Sequence, residues 1–509
     1  MILFKTRSSA PVVNGVFAQI RKAVESVLLG DGLKARVFRG GIWLGGGSTI
    51  EQAARFGRNM ILTRLLAPEA FGTMAIVLSA TSVIQSFTEI GVKEGLIQDP
   101  MGGEARYVDA AWWLALGRAV SVAAVVFALA PFAAWFYGNP ELTGLLRFST
   151  AGIILAGAFS PRAYVAMKEM KFGKWAVITN AGGICGVMIT LFLSIFIRDV
   201  WALVIGSCLE SVCRCLLSYI ICPYCPSLKW DKQAAGSLLG FSRGVFGLSF
   251  LNFIFSRVDI FVLAKLFSPA ALGLYTMAVY LVQNPTSLIM SMLGQALLPA
   301  YSQVRADPGR VNRILIQVTS SIAILGLPAV AFAFCCGRSL LRLTYGPSYA
   351  AVAGSLLVSS AVALVNLMNG QITTVFYARG LPGMHRRAVA VMAVVMVSMV
   401  YPLCKWLGPV GGQAAALLAV IVGYLLQIVR VRRLTGLQMG PYGKGLLIPG
   451  LPSTSVVAVG LLTRPFAALS GPAANIAFGI VGCLLAYILA CAILLQSRTQ
   501  LSLPTQLES

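Results

Sequence analysis

The sequence is poor in charge, and what charge it has is lopsided. Only 11% of the 509 residues are Asp, Glu, Lys or Arg, against roughly 25% in a soluble protein. Acidic residues number 17 and basic residues 40, giving a formal net charge of +23. A single histidine, His385, excludes a multi-histidine metal site. No Gly-x-x-x-x-Gly-Lys-Ser/Thr loop occurs, so nothing points to ATP hydrolysis by this chain. No Asp-x-Asp metal motif is present either. What remains is apolar: 58% of residues are hydrophobic and the mean hydropathy is +0.82. These figures exclude a soluble enzyme, a disordered chain and a secreted disulfide scaffold. They leave a polytopic membrane protein.

A spanning helix needs about 20 mostly apolar residues. Fourteen stretches qualify, centred near residues 52, 81, 123, 155, 185, 210, 253, 285, 324, 363, 396, 420, 454 and 484. The stretch 444–463 is the weakest, because Pro449, Gly450 and Pro452 interrupt it. The cations lie between apolar runs, which fits the positive-inside rule better than a nucleic-acid surface. With the N-terminus inside, 27 of the 40 Lys and Arg residues fall in inside segments, seven in outside loops and six in the membrane. That bias predicts cytoplasmic N- and C-termini. No cleavable signal peptide is visible before the first run near Gly41.

The expected organisation is a cytoplasmic segment 1–40, spans 1–6 over 41–222, an inter-lobe loop 223–240 and spans 7–12 over 241–430. Spans 13 and 14 over 431–496 and a tail 497–509 complete it. In the first segment Phe17, Ile20, Val24, Val27 and Leu28 share one helical face. That suits a helix lying on anionic membrane lipids, or chance periodicity in a frayed tail. Eleven cysteines are scattered. Cys222-Pro-Tyr-Cys225 is a CxxC without the βαβ context of a redox enzyme, and reads as a pair of reduced thiols.

Arg64-Leu-Leu-Ala-Pro68-Glu-Ala-Phe-Gly72 recurs, 201 residues later, as Lys265-Leu-Phe-Ser-Pro269-Ala-Ala-Leu-Gly273. Both copies read as a helix end, a proline turn and a new helix start. Six spans separate them, an even number, so both keep one orientation. The expected fold is all-α: about 14 transmembrane helices, with two parallel six-helix lobes around a central cavity and two C-terminal helices.

These repeated segments resemble the oligosaccharide flippases of the polysaccharide transporter family. So do Asp199-Val-Trp-Ala-Leu-Val204, Ala271-Leu-Gly-Leu-Tyr275, Leu298-Pro-Ala-Tyr-Ser302 and Tyr345-Gly-Pro-Ser-Tyr349. The resemblance runs from about residue 38 to 430. It implies membership of the superfamily that also holds the lipid II flippase and the multidrug and toxin extruders. It implies a V-shaped, two-lobed transporter, not an enzyme. The implied cargo is an undecaprenyl-pyrophosphate-linked oligosaccharide, moved between leaflets for exopolysaccharide, O-antigen or capsule. A polysaccharide polymerase and chain-length machinery would be its partners.

Charges inside spans are costly and mark function by default. Span 1 carries Glu51, Arg55 and Arg58 on one face, extended by Gly45, Ser48 and Gln52. Arg118 in span 3 and Arg147 in span 4 add cations, although Arg147 could equally snorkel to the interface. Arginine binds phosphate through a bidentate fork, so Arg55, Arg58, Arg118 and Arg147 are the candidate pyrophosphate ligands. The competing reading is internal pairing, as in Glu51 with Arg55 and Glu210 with Arg214. Ser82, Ser86 and Glu89 add a polar face to span 2. The 201-residue shift sets Asn252, Ser256 and Asp259 of span 7 opposite the span 1 trio, with Arg257 beside them. Asp259 is the candidate acid for coupling to an H⁺ or Na⁺ gradient; its alternative is a salt bridge to Arg257 or Arg58. His385 reads as a solvated residue of a basic inside loop. Gly45, Gly46 and Gly47 predict close packing, a bend or a frayed first turn, and Pro285 a hinge. No other cofactor is expected. The rival functions are a cation-coupled drug antiporter, a membrane polysaccharide polymerase and a transport-dead scaffold.

Overall fold

The computed structural model describes residues 33–87, 91–227, 231–448, 450, 452–458 and 472–501. Within them the chain is helical, with no strand. The helices are α1 (Leu33–Leu65), α2 (Pro68–Phe87), α3 (Val92–Gln98), α4 (Ala105–Tyr137), α5 (Glu141–Gly157), α6 (Arg162–Lys168), α7 (Phe172–Phe196) and α8 (Val200–Ile221). They continue as α9 (Lys232–Leu266), α10 (Pro269–Gln303), α11 (Pro308–Thr344), α12 (Ala353–Ala378), α13 (Pro382–Leu407), α14 (Val410–Thr435), α15 (Met439–Leu447) and α16 (Pro472–Leu501). A 3₁₀ turn, Pro347–Val352, precedes α12. The amphipathic stretch 17–28, Glu89 and residues 459–471, which include the end of the weakest span, lie outside the described residues.

Helix boundaries follow local chemistry. Asp231 caps α9, its Oδ1 accepting from the backbone N–H of Gln233 and Ala234. Ser268 caps α10, with Pro269 at the first helical position where no N–H is needed. Helix α9 begins at Lys232, inside the stretch expected as inter-lobe loop. Helix α1 runs unbroken through Gly45–Gly47, and α10 runs through Pro285.

Among the described residues, seven helical stretches are long and apolar enough to cross a membrane. An eighth counts if α5 and α6, bent by 50°, form one span. Helices α1, α2, α9 and α10 are not among them. Their polar content is physical: these four helices carry the repeat and meet across the middle of the molecule, where they need not face lipid.

The internal repeat is visible in the packing. In α1–α8, α1 packs on α7, α4 on α5, α7 on α8 and α5 on α8. The same pairings recur in α9–α14: α9 on α13, α11 on α12, α13 on α14 and α12 on α14. We call these two sets the N-lobe and the C-lobe. They join where the repeated motifs cross, α2 against α10. One apolar core spans this junction, with Leu62, Leu66 and Phe71 from one lobe and Leu272, Tyr275, Tyr345 and Tyr349 from the other.

The CxxC segment is a fastening. Tyr224 donates to Asp109 Oδ1 at 2.6 Å, and the Ser227 hydroxyl donates to Asp109 Oδ2. Trp113 Nε1 donates to the Ser227 carbonyl at 2.9 Å, so the segment is pinned to α4. Both Cys222 and Cys225 are free thiols, the first buried and the second exposed.

Candidate functional site

The N-lobe holds a cavity of about 590 Å³ against the inner face of α10. Arg55, Arg58 and Asn59 line it from α1, Glu210 and Arg214 from α8, and Tyr280 and Asn284 from α10. Trp175, Phe159 and Tyr164 form an aromatic wall, their ring centroids 5.6–5.9 Å apart.

The charges on the wall are of two kinds. Arg55 Nη2 lies 2.9 Å from Glu51 Oε1 and 2.5 Å from Glu210 Oε1. Arg214 Nη2 lies 2.9 Å from each of the same two oxygens. Two acids and two arginines thus form a closed, neutral square between α1 and α8. It fits because α7 presents glycines to it: a Cβ on Gly183 would meet Glu51 Oε1 at 2.2 Å, and one on Gly186 would meet Glu210 Cβ at 2.5 Å. Arg58 stands outside the square. Its Nε and Nη2 each reach Asn59 Oδ1 at 3.3 Å, and no carboxylate among the described residues is within ion-pair distance. The wall therefore carries one uncompensated cation.

The square has a measurable signature. Glu210→Ala leaves two guanidiniums competing for one carboxylate and should cost about 1–3 kcal/mol, since the groups are only partly buried. Arg55→Ala combined with Glu210→Ala should cost clearly less than the two single changes added. Thermal unfolding of the four proteins in detergent reads the difference; strict additivity would dissolve the square.

The remaining sequence candidates separate. Arg118 Nη2 donates to the Gln85 carbonyl in the last turn of α2 at 2.9 Å, tying α4 to a helix end. It does not line the cavity. Arg147 is exposed, its guanidinium 4.5 Å from the Phe127 ring centroid, and it too lies off the cavity. Asp259 was expected opposite Arg58, but it is buried inside the C-lobe. Tyr275 donates to its Oδ2 at 2.5 Å, Gln413 Nε2 donates to Tyr275 at 2.8 Å, and Ser359 donates to Gln413 Oε1 at 2.9 Å. This chain of neutral partners stands where the alternative reading placed a salt bridge, since neither Arg257 nor Arg58 pairs with Asp259 among the described residues. Arg257 Nη1 instead faces Tyr280 Oη at 3.5 Å. Ser256 is exposed and bonds back to the Asn252 carbonyl at 2.7 Å. Asn252 lines a second cavity, in the C-lobe, which sequence reasoning missed. His385 lines it too, from the first turn of α13 and not from a solvated loop. The signal was available: Asn366, Gly370, Thr373 and Tyr377 recur at helical spacing in an otherwise apolar run.

Residues 61–354 match the model of a family described as polysaccharide biosynthesis protein. The chain belongs to this family. Among its relatives is the succinoglycan biosynthesis transport protein ExoT of Rhizobium meliloti (strain 1021), 24% identical over 324 residues. That match covers 62% of this chain and 65% of ExoT, just under two thirds of the relative's length. The lipopolysaccharide biosynthesis protein WzxC of Escherichia coli (strain K12) is 20% identical over 72% of this chain and 73% of its own length. The fold is shared with the lipid II flippase MurJ in an inward closed conformation, at a TM-score of 0.73 and 13% identity, over 90% of this chain and all of that one. An inward-facing multidrug resistance MATE transporter matches at a TM-score of 0.58 and 13% identity, over 76% of this chain and 96% of its own. This member of the polysaccharide biosynthesis family thus shares an all-helical fold with both structures.

Proposed function

We propose that the chain flips an undecaprenyl-pyrophosphate-linked oligosaccharide across the bacterial inner membrane by alternating access, for assembly of a surface polysaccharide. The observation that carries this reading is Arg58, a cation on the wall of the N-lobe cavity without a carboxylate partner among the described residues. A pyrophosphate supplies the charge that this wall lacks. The relatives' names, a succinoglycan transport protein and a lipopolysaccharide biosynthesis protein, agree with such a cargo. A drug antiporter for cations would want a net acidic wall, whereas among the described residues three arginines and one glutamate line this one.

Fourteen spans with both termini cytoplasmic complete the proposal. In that orientation the turns before Pro68 and Pro269 lie on the outer side, so the lobes are joined there and the cavity faces the cytoplasm. Polymerase and chain-length proteins would receive the cargo outside.

The decisive experiment compares cells with and without the gene. Deletion should remove the surface polymer while lipid-linked repeat units accumulate on the inner leaflet. Unchanged pools would refute the cargo.

Coupling to an H⁺ or Na⁺ gradient is assigned to Asp259, buried in the C-lobe with Oδ1 unpartnered among the described residues. Asp259→Asn should keep the Tyr275 bond yet make transport independent of the gradient. Transport by that variant that still collapses with the gradient would leave Asp259 a structural residue.

A further inference from the structure

The C-lobe cavity, about 470 Å³, has a chemistry unlike the N-lobe one. It lies beside it, with α10 forming a wall of both: Met277, Tyr280 and Asn284 face the first, and Met290, Gly294 and Leu298 face the second. No Asp, Glu, Lys or Arg lines it among the described residues. Its polar groups are neutral amides, hydroxyls and an imidazole: Asn252, Asn366, Asn369, Gln371, Thr373 and His385, with the Tyr377 ring centroid 5.8 Å from that of His385.

Several of these groups lack partners. Asn369 is 5% exposed and Gln371 1%, yet Asn369 Oδ1 and Gln371 Oε1 have no hydrogen-bond partner among the described residues. Behind them Gln427, fully buried, accepts from Thr373 at 3.3 Å and leaves its Nε2 unpartnered. Thr373 also sits 3.1 Å from His385 Nδ1. Buried amide atoms without partners are costly, and a cluster of them beside a cavity marks where a ligand's polar groups belong. The ligand class follows by elimination. Among the described residues an anion would find no cation here, and a cation no carboxylate. An acyl or prenyl chain would leave Asn369 Oδ1 and Gln371 Oε1 unsatisfied. A neutral polyhydroxylated ligand offers donors and acceptors together, and sugar C–H faces pack on an aromatic ring.

We infer that the C-lobe cavity binds the neutral sugars of the cargo while Arg58 in the N-lobe holds its pyrophosphate. The inference rests on the flippase reading and extends it: each lobe takes one chemical half of the same molecule. Recognition of a particular glycan would then reside in α12 and the start of α13.

The test uses the full chain in nanodiscs and two probes: farnesyl pyrophosphate, which has no sugar, and lipid-linked oligosaccharide extracted from cells lacking the transporter. Asn366→Ala, at a half-buried position, and Gln371→Leu, nearly isosteric, should each weaken the glycosylated probe at least about tenfold. Both should bind farnesyl pyrophosphate as the parent chain does, which also establishes that they are folded. Equal losses for both probes, or none for either, would overturn the sugar site. If Arg58→Gln binds farnesyl pyrophosphate unchanged, the pyrophosphate reading falls by itself; a selective loss in the C-lobe variants would still uphold the sugar site.

Discussion

Arg58→Gln should abolish polysaccharide export while leaving the protein inserted and as heat-stable as the parent. Among the described residues Arg58 is held only by the 3.3 Å contacts to Asn59, so removing its charge orphans no carboxylate there. A fork of two charge-assisted bonds to phosphate contributes roughly 3–4 kcal/mol, about a hundredfold or more in affinity. Arg58→Lys should recover only part of this, because an ammonium keeps the charge and loses the fork. Arg55→Gln should behave differently. It breaks the square with Glu51, Glu210 and Arg214, so stability and steady-state protein level should fall along with export. Surface polymer, membrane protein level and detergent melting temperature, measured together on the three variants, separate the roles. Normal polymer in Arg58→Gln would remove Arg58 from the cargo path.

The distinction between Arg55 and Arg58 was not legible in the sequence. Helical spacing placed Glu51, Arg55 and Arg58 on one face, and composition showed an excess of cations. Spacing within one helix also gave the pairs Glu51–Arg55 and Glu210–Arg214. What it could not give is that the pairs fuse, because the contact between α1 and α8 depends on room left by glycines of α7. Asp259 went astray for a related reason. The 201-residue shift places it correctly along α9, but a repeat conserves helix positions better than it conserves which neighbour a side chain meets. Tyr275 and Gln413 take the carboxyl into the C-lobe. Arg118 satisfies a carbonyl at the end of α2, a role invisible without the packing. The lobes themselves were legible, since a proline turn and a glycine at fixed spacing are local signals that survive duplication.

Gly72→Leu or Gly273→Leu should be strongly disruptive. The repeated motifs cross reciprocally. A Cβ on Gly72 would lie 1.9 Å from the Pro269 carbonyl oxygen and 3.0 Å from Gly273 N. A Cβ on Gly273 would lie 1.8 Å from the Pro68 carbonyl oxygen and 3.0 Å from Gly72 N. The obstructing atoms are backbone at the first turn of a helix, so no rotamer change relieves the clash and the lobes must separate. Flanking bonds obey the same two-fold relation. Arg64 donates to the Leu343 carbonyl near the end of α11 at 3.1 Å, and Lys265 donates to the Phe136 carbonyl near the end of α4 at 2.6 Å. Each cation satisfies an acceptor in the last turn of the opposite lobe's helix, where the helix dipole favours positive charge. These exposed contacts contribute little alone, so Arg64→Gln with Lys265→Gln should cost no more than about 1–2 kcal/mol. Either leucine should cost at least about 3 kcal/mol, or force the junction open. The two outcomes are distinguishable with a pair of spin labels, one beside each glycine. A lengthened distance in a protein of normal melting temperature identifies the crossing as a junction that opens during transport. A collapsed melting temperature identifies it as a permanent seam. A distance and stability equal to the parent's would mean that the two motifs do not meet.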